Sequence, residues 1–227
     1  MTASVSKNSK ESLSDRAYRE LKALILENRL QVGNQYMEQE VAELLNMSRT
    51  PSREALIRLA NEGLVELRAR HGMRVKPISI QDMKEIYAIL TSLESTAAAL
   101  AAENGLTEDQ VNRLRETVDD MERALAQDEL ETWAAADERF HRLLVEYSEN
   151  NRLISLVGNF IDQSHRVRMM TLRLRPKPLA SLNDHRAVME AILRGDAEEA
   201  RRLHHDHREV SGRMLVELLE THGMSQL

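Results

Sequence analysis

The stretch EQEVAELLNMSRTPSREALIRLANEGLVELRARHGMRV, residues 38–75, changes its hydrophobic period partway along, and that change decides the fold of the N-terminal part of the chain. Up to Gly63 the apolar residues recur at helical spacing in two short runs: Val41, Ala42, Leu44 and Leu45, then Ala55, Leu56, Leu59 and Ala60. Asn46-Met47-Ser48 between them reads as a tight turn, and Pro51 suits a first helical turn, where its missing N–H costs nothing. Beyond Gly63 the period is two: Leu64, Val65 and Leu67, a polar hinge at Arg70-His71-Gly72, then Met73, Arg74 and Val75. This predicts a small β-hairpin. Upstream, Ala17, Leu21, Leu24 and Ile25 follow the helical period from Ser14, and Gly33 closes that segment. Three helices, the last two separated by a short turn, and then a hairpin with a basic tip predict a winged helix-turn-helix over 14–77, with residues 1–13 as a disordered arm.

From 78 to 227 the pattern is helical throughout. Ser79 with Asp82, Thr107 with Gln110, Ser181 with Asp184, and Asp196 with Glu199 are capping-box pairs ahead of periodic runs. They predict helices at about 80–104, 108–127, 129–149, 151–172, 182–194 and 197–222, with one long break at Arg173–Leu179 around Pro176 and Pro178. The fold class expected is mainly α: a winged helix-turn-helix followed by an antiparallel all-α bundle. With aromatics at 3% and only 8 Gly and 4 Pro, the composition agrees with helices over sheets.

Charge divides the chain the same way. Residues 1–76 hold 13 Lys/Arg and 10 Asp/Glu, a net +3, and the remainder carries net −9, so the polyanion-facing part is expected to be the first. There is no cysteine, which excludes disulfides, thiolate zinc sites and cysteine nucleophiles. The polar N-terminus has no apolar leader and no later stretch is long and apolar enough to span a membrane, so no membrane partner and a cytoplasmic location are expected.

Two constellations carry chemistry. Ser48, Arg49, Thr50 and Arg53 fall at the start of the third helix, where hydroxyls and guanidinium groups meet phosphates and base edges if that end enters the major groove. Taken alone, a solvated helix start explains them equally well; the preceding turn and the following hairpin favour DNA. In the bundle, Asp137 and His141 are four residues apart and share one helix face with Phe140 and Leu144. His185 stands in the stripe Leu182-His185-Met189-Ile192 and His207 in Ala200-Leu203-His207-Val210-Met214, each where an aliphatic residue is expected. One inward His is ordinarily a hydrogen-bonded core residue, but three with a carboxylate suit a divalent metal, Zn²⁺ or Ni²⁺ first, with Mn²⁺ and Fe²⁺ also accommodated by these ligand types. His165, His204, His205 and His222 are expected at the surface, His204 on the flank of its stripe.

The N-terminal motifs resemble the GntR family of bacterial transcription regulators. The shared residues are Glu38-x-Glu40-Val41-Ala42-x-x-Leu45, Ser48-Arg49-Thr50-Pro51-x-Arg53-Glu54-Ala55-Leu56-x-x-Leu59, Glu62-Gly63-Leu64-Val65 and His71-Gly72-x-x-Val75. The resemblance implies that Ser48, Arg49, Thr50 and Arg53 contact operator DNA and that His71 with Gly72 sits in the minor groove. Gln39 stands where many relatives have Arg, which implies a weaker phosphate contact. The second half resembles the FCD effector-binding domain of the FadR subfamily through Leu93-Glu94-x-x-Ala97-Ala98, Asp137-x-x-Phe140-His141, Asp184-His185-Arg186-x-x-x-Glu190-Ala191-Ile192 and Gly195-Asp196-Ala197-x-x-Ala200. That likeness implies a divalent metal whose coordination a small organic acid completes. Where relatives read Tyr-Glu-Val-Arg, this chain has Tyr87-Ala88-Ile89-Leu90, so the guanidinium clamp for a carboxylate is lost unless Arg166, Arg168 or Arg186 replaces it.

The function expected is a ligand-responsive, DNA-binding transcription regulator, not an enzyme, that binds a pseudo-palindromic operator as a homodimer and senses a small-molecule effector near the metal. The alternative is metal-dependent hydrolysis in the bundle, with Glu94 or Glu190 as the only candidates for a general base.

Overall fold

The computed structural model describes residues 11–69 and 71–224 and divides into two compact units, Met1–Pro77 and Ile78–Leu227. Most of the expected arm, and Arg70 of the hinge, lie outside the described residues.

In the first unit α1 (Leu13–Leu26) begins earlier than its periodicity suggests, because Ser12 caps it by accepting the Asp15 N–H. Leu13 is therefore helical and does not belong to an arm. Next come β1 (Gln35–Tyr36), α2 (Glu38–Leu44), α3 (Arg49–Asn61), β2 (Val65–Arg68) and β3 (Gly72–Val75). The sheet order is β1-β3-β2, with Val65 opposite Val75 and Arg68 opposite Gly72 in the hairpin. β1 was not expected, since two residues are too few to show a period. Its presence explains Gly72: at φ +76° a Cβ there would stand 2.1 Å from the Tyr36 carbonyl oxygen. Ala17, Leu21, Ile25, Val41, Leu45, Leu56, Leu59, Met73 and Val75 form the core. Leu44, expected inside, is 52% exposed, because the two turns of α2 bury only the face carrying Val41, Ala42 and Leu45.

The second unit contains α4 (Ile80–Asn104), α5 (Glu108–Ala126), α6 (Leu130–Tyr147), α7 (Asn151–Met170), a 3-10 turn at Leu172–Leu174, α8 (Leu179–Leu193) and α9 (Ala197–Thr221). Ser79 with Asp82 and Thr107 with Gln110 form complete capping boxes, whereas at α9 only the Asp196 half is made. α8 differs from expectation. It starts at Leu179 behind Pro178, so Ser181 is inside the helix and caps nothing; proline already holds φ near the helical value and lets the chain turn in without a side-chain cap. α9 also presents a different face. Val210 is 56% exposed, and the buried side runs through Ala200, His204, His207, Arg208, Leu215 and Leu219. Apolar periodicity misplaces that face by about one residue because His204 and Arg208, polar by type, are inside. α4 and α9 pack closely enough that a Cβ on Gly212 would lie 2.8 Å from the Tyr87 ring. Among the described residues, no helix is long and apolar enough to cross a membrane.

Candidate functional site

At the start of α3, Ser48 is the N-cap, and Ser48, Arg49, Thr50 and Arg53 are all exposed. Arg49 Nε donates to Gln39 Oε1 at 2.7 Å, and Gln39 Nε2 donates to Glu43 Oε1 at 2.7 Å. Gln39 thus holds the Arg49 guanidinium at the helix start. Arg53 has only a 4.0 Å approach to Glu38, with 68% of its side chain in solvent. Arg49, Arg53, Leu67, Arg68 and Gly72 line one concavity between α3 and the hairpin. His71 is exposed beside it, with its carbonyl accepting from Gln35 Nε2 at 2.8 Å, while Gly72 is buried beneath β1. Gly72 thus shapes the turn through its backbone, and His71 is the residue presented outward.

In the second unit α6, α8 and α9 bring His141, His185 and His207 together, all buried, with one nitrogen of each within 4.8 Å of the others. The neighbours of each Nδ1 bear on which nitrogen is bare. His185 Nδ1 is 2.6 Å from the Ser181 carbonyl oxygen, which only accepts, so Nδ1 carries the proton and Nε2 the lone pair. His141 Nδ1 lies 3.0 Å from Glu94 Oε2 and 3.4 Å from His204 Nε2, and His207 Nδ1 lies 3.2 Å from Asp184 Oδ2; in the tautomers whose Nδ1 donates to these carboxylates, Nε2 of each ring is bare. The Nε2 atoms of His141 and His185 then face each other at 3.2 Å. In those tautomers two lone pairs face each other and a cation between them relieves the repulsion; with Nε2 of one ring protonated the same contact is an N–H···N hydrogen bond.

Asp137 supplies the oxygen. Its Oδ1 is 3.4 Å from His185 Nε2 and 3.9 Å from His141 Nε2, while Oδ2 is paired with the Arg168 guanidinium. Separations of this size suit a shared ion, since tetrahedral bonds of about 2.0–2.1 Å set neighbouring ligands roughly 3.3 Å apart. Burial alone would raise the Asp137 carboxyl, but the Arg168 guanidinium paired with it holds it well below the usual carboxylate range. Burial, followed by the neighbouring His207, pushes His185 down to about 3, and burial with Arg208 nearby also lowers His141 well below an ordinary imidazole. His141 and His185 are therefore held neutral beside an ionised carboxylate, the protonation state a divalent metal requires of such ligands. Three His with one Asp fit such an ion.

His204 is fully buried, not at the surface, and with Glu94 and His141 it forms a second group of candidate ligands. His165 is also largely buried and approaches Glu138 at 2.8 Å, whereas His205 and His222 are exposed. The Glu94 group suits support better than coordination. Both Glu94 oxygens accept from Arg208, at 2.5–2.9 Å, so the carboxylate is already neutralised and a cation there would face a guanidinium. The same carboxylate also approaches His141 Nδ1 at 3.0 Å and His204 Nε2 at 3.4 Å, the placement of an outer-shell partner that would orient His141 toward an ion. Sequence reading considered Glu94 as a base; what it lacked was the α4–α9 pairing that brings Arg208 to it.

Beside the cluster lies a cavity of about 190 Å³ whose wall includes Tyr87, Trp133, Asp137, His141, His207 and Met214, with Arg168, Arg175, Lys177 and Arg208 as its cations. Of the proposed replacements for the lost guanidinium, Arg168 is in the wall but paired with Asp137, and Arg186 pairs with Glu122 at 3.1 Å. Arg166 is buried and does not line the cavity. Arg175 was not anticipated, because the segment around Pro176 and Pro178 has no period to read.

Comparison with known proteins identifies the family of each unit. Residues 13–75 match the family of bacterial regulatory proteins, gntR family, and residues 85–210 match the FCD domain. An uncharacterized HTH-type transcriptional regulator of Agrobacterium vitis is 39% identical over 57% of this chain and 77% of its own length. The probable D-xylose utilization operon transcriptional repressor of Paenarthrobacter nicotinovorans is 32% identical over 78% of this chain and 76% of its own. The E. coli McbR/YncC structure superposes with a TM-score of 0.80 over 92% of this chain and 99% of that one, at 21% identity, which is evidence for the fold alone.

Proposed function

The chain belongs to the GntR family and carries an FCD domain, so it is a bacterial DNA-binding transcription regulator and not an enzyme; on that premise we propose that it binds a pseudo-palindromic operator as a homodimer and answers to a small-molecule effector held beside a divalent metal. Asp137, His141, His185 and His207 are the proposed metal ligands, with Zn²⁺ or Ni²⁺ the first candidates and Mn²⁺ and Fe²⁺ also compatible. The observation that carries this reading is the convergence of three buried imidazoles and Asp137, with the Nε2 atoms of His141 and His185 facing each other 3.2 Å apart beside a cavity that Asp137 and His207 also line. Bound there, a metal would supply a positive centre that fixes α6, α8 and α9 to one another and attracts an anionic group of the effector. Effector binding would then change how the DNA-reading units are presented, a coupling between two sites in separate units.

On DNA, Arg49 and Arg53 are the proposed base readers, Ser48 and Thr50 the phosphate contacts, and His71 the minor-groove contact, with Gly72 holding the turn that presents it. Because one winged helix reads a half-site, a two-fold dimer matches a two-fold operator. The test is selection of bound duplexes from a random pool, followed by sedimentation of the complex. An inverted repeat bound by two chains supports the proposal; a single half-site bound by one chain overturns the dimer. Elemental analysis of protein made without a His-tag tests the centre: stoichiometric divalent metal lost in His141→Ala and His207→Ala but retained in His205→Ala supports it. Metal-free protein that also fails to take up added Zn²⁺, Ni²⁺ or Mn²⁺ refutes it.

A further inference from the structure

The cavity beside the cluster has a polarity defect of one kind. Among the described residues, two buried polar atoms of its wall have no hydrogen-bond partner, Trp133 Nε1 and Arg175 Nε, and both are N–H donors. Leaving a buried donor unpaired costs about 1–3 kcal/mol, so such a wall is complementary to an occupant that brings acceptors. Its charges show the same imbalance. Arg168 is neutralised by Asp137, Arg208 by Glu94, and Lys177 by Asp128 at 2.9 Å. Arg175 has no carboxylate partner among the described residues; its one hydrogen bond donates from Nη2 to the Arg168 carbonyl oxygen at 2.6 Å. Burial, with Arg168 nearby, lowers the Arg175 guanidinium only to about 10, so it stays charged at neutral pH. At about 190 Å³ the cavity has room for a small metabolite.

We propose that Arg175, with the Trp133 indole N–H, forms a second anchor in this cavity for a small molecule with two anionic ends, one end directed to the His141–His185–His207 cluster and the other to Arg175. The proposal rests on the effector reading above and specifies the chemistry of the effector: a short dicarboxylate or an equivalent dianion, not a monoacid or a neutral sugar. Leu130, Leu172 and Met214 line the same cavity and suit the aliphatic linker between the two ends.

The test uses full-length Zn²⁺-loaded protein titrated by calorimetry with malonate, succinate and glutarate, and with acetate, propionate and butyrate, checking that the metal stays bound. Wild type is expected to bind at least one dicarboxylate about ten- to hundredfold more tightly than the matching monocarboxylate, the contribution of one charge-assisted hydrogen bond to a buried partner. Arg175→Gln removes that advantage, its folding checked separately by its circular dichroism spectrum and by retained Zn²⁺; Arg175→Lys, a point charge without the fork, recovers part of it. Equal affinity for mono- and dicarboxylates in wild type, or a dicarboxylate advantage that survives in Arg175→Gln, overturns the anchor while carboxylate binding at the metal still stands. Absence of binding by every acid overturns both the anchor and the carboxylate-at-metal reading.

Discussion

Replacing Glu94 with Gln separates two consequences of a single buried carboxylate. Glu94 is fully buried; it accepts two close bonds from Arg208 Nη2 and one from Nε, and its Oε2 lies 3.0 Å from His141 Nδ1. The carboxamide is nearly isosteric, but it removes the charge opposite a guanidinium that is itself buried and turns an N–H₂ toward donors. Breaking a buried ion pair from one side costs about 3–5 kcal/mol, because the surviving charge is left without compensation. At a urea m-value of about 2 kcal/mol/M, the unfolding midpoint of the second unit is expected to fall by roughly 2 M. Trp133 is the only tryptophan of the chain and is buried in that unit, so its fluorescence follows this transition separately from the first unit. The second consequence concerns His141: without an anionic acceptor at Nδ1, Nε2 is no longer held as the bare nitrogen, and Zn²⁺ affinity is expected to drop by about 10- to 100-fold. A Glu94→Met/Arg208→Met double variant distinguishes the two effects. It replaces both charges with apolar groups, so most of the stability returns while the metal affinity stays low. A Glu94→Gln protein with the wild-type midpoint and the wild-type zinc dissociation constant refutes this account of the residue.

Four further outcomes are expected. Zn²⁺ at a hundredfold excess over its dissociation constant stabilises the second unit by about 2.7 kcal/mol and chelation reverses it, so a melting curve unmoved by either counts against the centre. Arg49→Ala and Arg53→Ala each weaken operator binding by about 1–3 kcal/mol with helicity intact, and wild-type binding falls steeply with added salt; titrations that match wild type remove these residues from the interface. Gly72→Ala destabilises the first unit by more than about 2 kcal/mol, since it demands a Cβ at positive φ against the Tyr36 carbonyl, and an unchanged melt of that unit would contradict the packing. Burial opposes ionisation of Glu138, yet His165 and Arg142 hold its carboxyl down to about 2; the unfolded chain takes up that proton first, so stability present above about pH 4.5 is lost as pH falls toward 2, by up to about 3 kcal/mol, and Glu138→Gln flattens the acid limb of a pH series of unfolding midpoints.

How far the sequence could be read depended on whether the decisive residues lay on a periodic stripe. The α2-turn-α3 segment and the hairpin were legible because Val41, Leu45, Leu56 and Leu59 alternate with turn residues of definite type, and the period changes at Gly63. Asp137, His141 and His185 were legible because they interrupt clean apolar faces. α9 was not, since a buried face that carries His204 and Arg208 looks hydrophilic until their partners on other helices are known. β1 escaped because a two-residue strand is defined only by the strand it pairs with. Arg175 escaped because an irregular segment between two prolines gives no indication of which way its side chains turn.

The Glu94–Arg208 pair joins residues 114 positions apart in the chain. α4 leaves the ribosome long before α9, and in that interval its face for α9, together with the carboxylate of Glu94, has no counterpart to pack against. The proposed ligand His207 is absent over the same interval. On the reading proposed above, metal loading would therefore await the nearly finished chain, and a nascent protein stalled before α9 would hold neither the ion pair nor the complete set of proposed ligands. Until α9 is made, the second unit exposes apolar surface that its core later covers, and truncations before residue 208 leave Glu94 without its partner, although the N-terminal unit has its own separate core.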